Sequence, residues 1–230
     1  MNPRLLHIAL ALTALMAAVT ACDDSKDVDR AYTDYLYDIV TYMGTTDAGG
    51  EKYILDQRDD AQRLTLLSAG TNAPEDSYIG RRMLLRYDFA DDSRDTIRNI
   101  VVYASTAIIS DSMRYTIKPV AQYLQNNTPV KLRSVWRTGD YLNMRGQLEY
   151  TGRQRHFYLL VDSTTWKRDT VHCYLVHNVF NDTTYHWRDF YASFYVGSLW
   201  KRNPKQVLRV HINDVLRPDV TYRDFAKTTQ

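Results

Sequence analysis

The stretch DYLNMRGQLEY, Asp140 to Tyr150, sets the fold class. It puts Leu142, Met144, Leu148 and Tyr150 on one side and Tyr141, Asn143, Arg145, Gln147 and Glu149 on the other. Successive side chains of a strand point to opposite faces, so this segment reads as a strand with one apolar and one polar face. The pattern recurs downstream in HFYLLVD (156–162), TVHCYLVHN (170–178), TYHWRDFYASFYVG (184–197) and QVLRVHIND (206–214), separated by polar or Gly/Pro-containing turns. Phe190, Ala192, Phe194 and Val196 share a face, as do Leu208, Val210 and Ile212. About six strands with one apolar face each predict an antiparallel β-sandwich over residues 126–230.

Upstream the strands are shorter. Tyr35 to Met43, EKYILDQ (51–57), QRLTLL (62–67), RRMLLRYDF (81–89), TIRNIVVY (96–103), STAIIS (105–110) and MRYTI (113–117) alternate with turn-forming stretches such as GTTDAGG and ADDSRD. The absence of a long helical pattern makes residues 31–125 a small barrel or sandwich. Between the halves, KPVAQYLQNNTPV (118–130) holds Pro119 and Pro129 around a single possible helical turn, and marks the expected junction. Eighteen tyrosines, 44% hydrophobic and 24% charged residues suit an all-β globular chain whose stability rests on packing.

The amino terminus specifies an address. An apolar run from Leu5 to Val19 follows the single Arg4 and is shorter than the roughly 20 residues that span a bilayer, so residues 1–21 read as an export signal. Val19-Thr20-Ala21-Cys22 resembles the box of bacterial lipoprotein signals. That resemblance implies cleavage before Cys22, lipid attachment to it and membrane association through the anchor, with two or more acyl chains holding stably where one does not. Residues 22–30, CDDSKDVDR, form a polar tether. Asp23, Asp24 and Asp27 resemble the export signal of surface lipoproteins, which makes the outward face of the outer membrane the first expectation and its periplasmic face the second. With Cys22 assigned, Cys173 has no partner for an internal disulfide; between Val171 and Leu175 it reads as a small buried hydrophobe.

Several segments together resemble the NigD-like lipoproteins of Bacteroidota: the lipoprotein start, KYILD, GRRMLLRYDF, VWRTGDYLNMR and DFYASFYVGSL, in that order. The resemblance implies an N-terminal barrel of the oligonucleotide/oligosaccharide-binding (OB) type followed by a C-terminal β-sandwich. It brings an association with bacteriocin immunity and no established activity.

No enzyme is expected. HExxH, paired-cysteine, EF-hand, phosphate-loop and nucleophile-elbow patterns do not occur, and no cofactor is implied. His172 and His177 lie on opposite faces of one strand and cannot share a metal there. From Cys22 to Gln125 the chain carries 12 basic and 18 acidic residues; from Asn126 to Gln230 it carries 16 and 9. Such halves either dock on each other, or are solvated separately, or present the basic half to an anionic partner. The barrel half is acidic, which argues against nucleic acid. The partners in view are an envelope protein, a toxin or an acidic glycan. Trp136, Arg137, Tyr141, Asn143 and Arg145 form the candidate ligand-binding set, as an aromatic platform with donors. The other reading of the same residues places Trp136 in a core or between domains and makes Arg137 to Asp140 a plain hairpin turn.

Overall fold

The computed structural model describes residues 35–70, 73–150, 156–180 and 186–227. The expected signal, tether and lipid-attachment residue Cys22 lie outside them. Five strands, β1 (Leu36–Thr45), β2 (Glu51–Leu55), β3 (Leu64–Ser68), β4 (Arg82–Phe89) and β5 (Ile97–Ala107), close into a barrel in the order β1-β2-β3-β5-β4. Every ladder is antiparallel except β3 with β5. That order is the five-stranded OB arrangement, and closure removes most of the exposed backbone edge that an open sheet would leave.

The alternation along each barrel strand fills a narrow interior with Val40, Tyr42, Tyr53, Leu66, Met83, Leu85, Tyr87 and Ile100. Three of these are tyrosines, and each hydroxyl has a partner, as a buried polar group requires. Tyr42 donates to the Pro74 carbonyl (3.1 Å), Tyr53 to Glu51 Oε2 (3.2 Å) and Tyr87 to Asp38 Oδ2 (3.0 Å). Burial, then the adjacent carboxylate, pushes the Tyr53 and Tyr87 hydroxyls well above the ordinary phenol value, so they act as fixed donors.

The chain leaves the barrel without a linker. Ala107 ends β5, Ile108 donates to the Arg82 carbonyl, and β6 (Ile109–Ser112) begins at once in a different sheet. Met113, buried, then carries the chain across to β7 (Arg114–Tyr115). One sheet of the sandwich has the order β6-β12-β9-β8, with β8 Lys131–Thr138, β9 Tyr141–Tyr150 and β12 His186–Tyr195. The other has the order β14-β13-β11-β10-β7, with β10 His156–Val161, β11 Thr170–Asn178, β13 Val207–His211 and β14 Tyr222–Phe225. The change of sheet therefore falls at Ile108, upstream of the Pro119–Pro129 segment; that segment, with the short helix α1 (Ala121–Leu124), connects strands of the sandwich. The backbone pairing of 109–115 is invisible to composition, because these residues continue the strand pattern of β5 unbroken.

The sandwich core joins Leu142, Met144, Phe190, Ala192 and Phe194 of one sheet to Leu159, Val161, Val171, Cys173, Leu208 and Val210 of the other. Its ladders are mixed. β6 with β12, β7 with β10 and β11 with β13 run parallel, and the remaining four are antiparallel. After β11 the chain crosses to β12 in the opposite sheet and returns through the helix α2 (Gly197–Arg202), so β13 comes to lie beside β11 in the same direction. Where β8 crosses β9, Gly146 has no room for a side chain: a Cβ there would run into the Lys131 carbonyl and the Phe190 ring.

Two substitutions separate the roles of packing and of buried hydrogen bonds. Phe194→Ala, which empties a wholly buried site, should cost about 3–5 kcal/mol in urea unfolding. Tyr87→Phe removes one hydroxyl bond to a half-buried carboxylate and should cost about 1 kcal/mol.

Candidate functional site

The outer face of the β6-β12-β9-β8 sheet meets the barrel. Strand register arranges that face in rows: Tyr195, Tyr141 and Thr138; then Ser193, Asn143 and Trp136; then Tyr191, Arg145 and Ser134. Asn143 is fully buried, donates to Thr138 Oγ1 (2.8 Å) and accepts from Ser193 Oγ (2.8 Å). Onto this pair comes Arg82, from the first position of β4. Its Nε donates to Ser193 Oγ (3.1 Å), Nη1 to Thr41 Oγ1 (2.9 Å) and Asp56 Oδ2 (3.3 Å), and Nη2 to the Ile39 carbonyl (3.1 Å). The guanidinium carbon stands 4.0 Å from the centre of the Tyr141 ring. Only 2% of the Arg82 side chain and 4% of Asp56 are exposed. Burial pulls the Arg82 pKa below its ordinary value, against the opposing pull of Asp56. Arg63 gives the same carboxylate a second cation at 2.8 Å.

Arg137 projects from the opposite side of β8. It grips Asp60 of the barrel through two bonds of 2.7 Å, donates to the Gly139 carbonyl and lies 5.3 Å from the Trp200 ring. The bidentate geometry and the burial of both partners make it the stronger kind of ion pair. Here the basic half meets the acidic half directly. Arg209, by contrast, is held by Asp224 of its own sheet in two bonds of 2.8 and 2.7 Å.

The five sequence candidates thus divide. Tyr141 and Asn143 are consumed in the contact between barrel and sandwich, and Arg137 in its flanking ion pair. Trp136 and Arg145 remain available, on the wall of an open cleft of about 600 Å³ between the two domains. Tyr191 completes that wall, while Tyr37, Leu64 and Phe89 face it from the barrel. Arg145 lies 5.5 Å from the Tyr191 ring and Arg58 6.0 Å from the Trp136 ring. Sequence reasoning missed Arg82, Asp56, Ser193 and Tyr191. Ser193 carried a signal: it is the small polar residue between Tyr191 and Tyr195 on one face of β12.

Elsewhere, burial pushes the Cys173 thiol far above its ordinary pKa, and its sulfur lies 3.9 Å from that of Met113. Among the described residues no group of three or more His, Cys, Asp or Glu could hold a metal ion. His172 Nδ1 and His211 Nε2 are 2.9 Å apart on the outer face of β11 and β13, with Tyr174 stacked on His211 at 4.5 Å. One ring must donate and the other accept, so the pair cannot hold a proton on both facing nitrogens.

A barrel of OB order, continued without a linker into a two-sheet sandwich and bolted to it by buried arginines, defines a two-domain all-β fold. Residues 114–222 match the NigD-like C-terminal beta sandwich domain. Over that domain, a little under half of its length, the chain is NigD-like. A protein of unknown function from Bacteroides vulgatus has a similar structure, with a TM-score of 0.65 at 19% identity over 83% of this chain and 89% of that one. A NigD-like immunity protein from Bacteroides caccae gives 0.58 at 23% over 84% and 93%. A lipoprotein from Bacteroides fragilis gives 0.54 at 10% over 85% and 99%. At these identities the likeness establishes the fold. No match is found among curated proteins.

Two outcomes follow from the buried charges and the histidine pair. Arg82→Met should leave the buried Asp56 with only the exposed Arg63 and remove the donor to Ser193, Thr41 and the Ile39 carbonyl, lowering stability by about 3 kcal/mol in urea unfolding, whereas Arg209→Met, at an exposed pair, should leave stability nearly unchanged. Burial, then His172 and Arg209, hold His211 below the ordinary histidine value of 6.5. His211 therefore gains proton affinity on unfolding, so its contribution is whole above pH 6.5 and is lost as pH falls through the folded value. Asp224, lowered chiefly by its bond from Arg209, adds a loss only below its ordinary value of 3.8. Stability measured from pH 7.5 to 4.5 should decline with a limiting slope of about 1.4 kcal/mol per pH unit per proton, and His211→Gln should flatten that decline.

Proposed function

We propose that this protein is a lipid-tethered, non-catalytic interaction module of the cell envelope, anchored through Cys22 on the outer membrane and facing outward, which receives a partner in the cleft between barrel and sandwich. The observation that carries the reading is the use of the buried polar groups. Arg82, Asp56, Asn143, Ser193 and Arg137 are occupied in fixing one domain against the other, which leaves a cleft of set geometry walled by aromatic side chains. Binding sites are commonly concave and mostly apolar with a few placed polar groups, and this form supports the reading. The NigD-like immunity protein of similar fold supports a toxin as the partner, and the lipoprotein of similar fold supports the tether.

An acidic glycan is the second reading, carried by Trp136 and Tyr191 as ring-stacking faces beside Arg145.

The test follows the protein in the envelope. The wild-type chain should take up fatty-acid label and fractionate with the outer membrane, and Cys22→Ala should do neither. In a host sensitive to a panel of bacteriocins, expression should protect against at least one, and both Cys22→Ala and Trp136→Ala should lose that protection at unchanged protein level. An unlabelled wild-type chain would contradict the tether. Protection that survives Trp136→Ala would contradict the cleft.

A further inference from the structure

The barrel wall of the cleft contains a length of backbone with one side open. Leu36–Val40 of β1 pairs with β4, but the ladder from β1 to β2 begins only at Thr41. On that second side no strand is paired with Leu36–Val40 among the described residues. Alternate amides and carbonyls of a strand point to each side, so this stretch presents unpaired groups to whatever lies beside it. The Ile39 carbonyl is taken by Arg82, and because Tyr42 bonds Arg81 on the β4 side, Leu36 and Asp38 turn their backbone groups to β4 as well, which leaves those of Tyr37 to continue the edge along the cleft. The floor beside them is apolar, formed by Leu55, Leu64 and Phe89. At the rim stand Arg58 and Arg145, both exposed, each near an aromatic ring and neither in an ion pair with a carboxylate among the described residues.

We propose that the cleft binds an extended segment of a protein partner, with apolar and acidic residues in alternation, by adding it as a strand to the open edge of β1. The assignment rests on the reading of the cleft as the partner site and names the chemistry of what enters it. An added strand places its side chains alternately to two sides. One set meets the floor of Leu55, Leu64 and Phe89; the other meets the rim, where carboxylates pair with Arg58 and Arg145. About three residues, at roughly 3.3 Å each, span the edge around Tyr37. A saccharide would use Trp136 and the rim arginines but would leave the β1 backbone groups without strand partners. The peptide uses all three features, and this favours it.

The experiment selects from a library of random dodecapeptides displayed on phage, against the purified full chain in detergent. Enriched sequences should alternate acidic and apolar residues. A synthetic consensus peptide should bind the wild-type chain at least tenfold more tightly than a chain carrying Arg58→Gln and Arg145→Gln, whose thermal unfolding should match wild type because both side chains are exposed. N-methylation of alternate peptide amides on the edge that would pair should abolish binding, and raised salt should weaken it. Failure to enrich any sequence, enrichment without acidic residues, equal binding to the double variant, or indifference to N-methylation overturns the proposal. A hexauronate saccharide that binds with the same dependence on the two arginines, where no peptide is selected, assigns the cleft to acidic glycan instead. In either case lipid labelling of Cys22 stands or falls separately, so loss of the peptide does not touch the tether.

Discussion

One buried guanidinium holds this molecule in its shape. Arg82 has left water almost completely, and a charge in that position is tolerated only with a counter-charge and a full set of acceptors. Asp56 supplies the counter-charge from the barrel. Thr41 and the Ile39 carbonyl supply acceptors from β1, Ser193 supplies one from the sandwich, and Tyr141 covers the flat face of the group. Because these partners come from both domains, the guanidinium is satisfied at only one relative placement of barrel and sandwich. Apolar surfaces alone would press the domains together with little preference for direction. The hydrogen bonds select one direction, and the second buried pair, Arg137 with Asp60, fixes the rotation about it.

The charge asymmetry along the chain acquires a physical meaning here. The acidic first half gives Asp60 and the basic second half gives Arg137, and their pairing is a direct docking contact. Other basic residues of the second half are neutralised locally, as Arg209 is by Asp224. Among the described residues, the charges without an ion-pair partner at the cleft are few and localised: Arg58 on one wall, Arg145 on the other, and the Asp38 carboxylate, which accepts from Tyr87. The net charge of a half therefore says less than the position of a few side chains.

Much of the fold could be read from periodicity. The alternation in DYLNMRGQLEY and FYASFYV placed Leu142, Met144, Phe190, Ala192, Phe194 and Val196 on buried faces, and all are buried. Cys173 sits in the core between Val171 and Leu175 as its neighbours implied. Three things were not legible. The passage from barrel to sandwich at Ile108 leaves no mark, because an extended chain reads the same whichever sheet it joins. The helix Gly197–Arg202 is too short to show a period. Arg82, at an outward position of its strand, looks like any solvated arginine until a second domain covers it. The same ambiguity divided the candidate site: Asn143 and Tyr141 share a face with Arg145, and only the position of the barrel decides that the first is buried, the second half-buried and the third exposed.

The central claim is that the Arg82 network makes barrel and sandwich one rigid body. Pulsed electron-spin distance measurement tests it most directly, with labels on Val101→Cys in the barrel and Lys205→Cys in the sandwich, in a full chain whose Cys22 is replaced by Ser. Both label sites are exposed, and Cys173 is buried beyond the reach of the reagent. A single narrow distance distribution is expected, and it should broaden when Arg82→Met is added under conditions where the chain remains folded. A broad distribution in the parent chain, or an equally narrow one after Arg82→Met, would contradict the account.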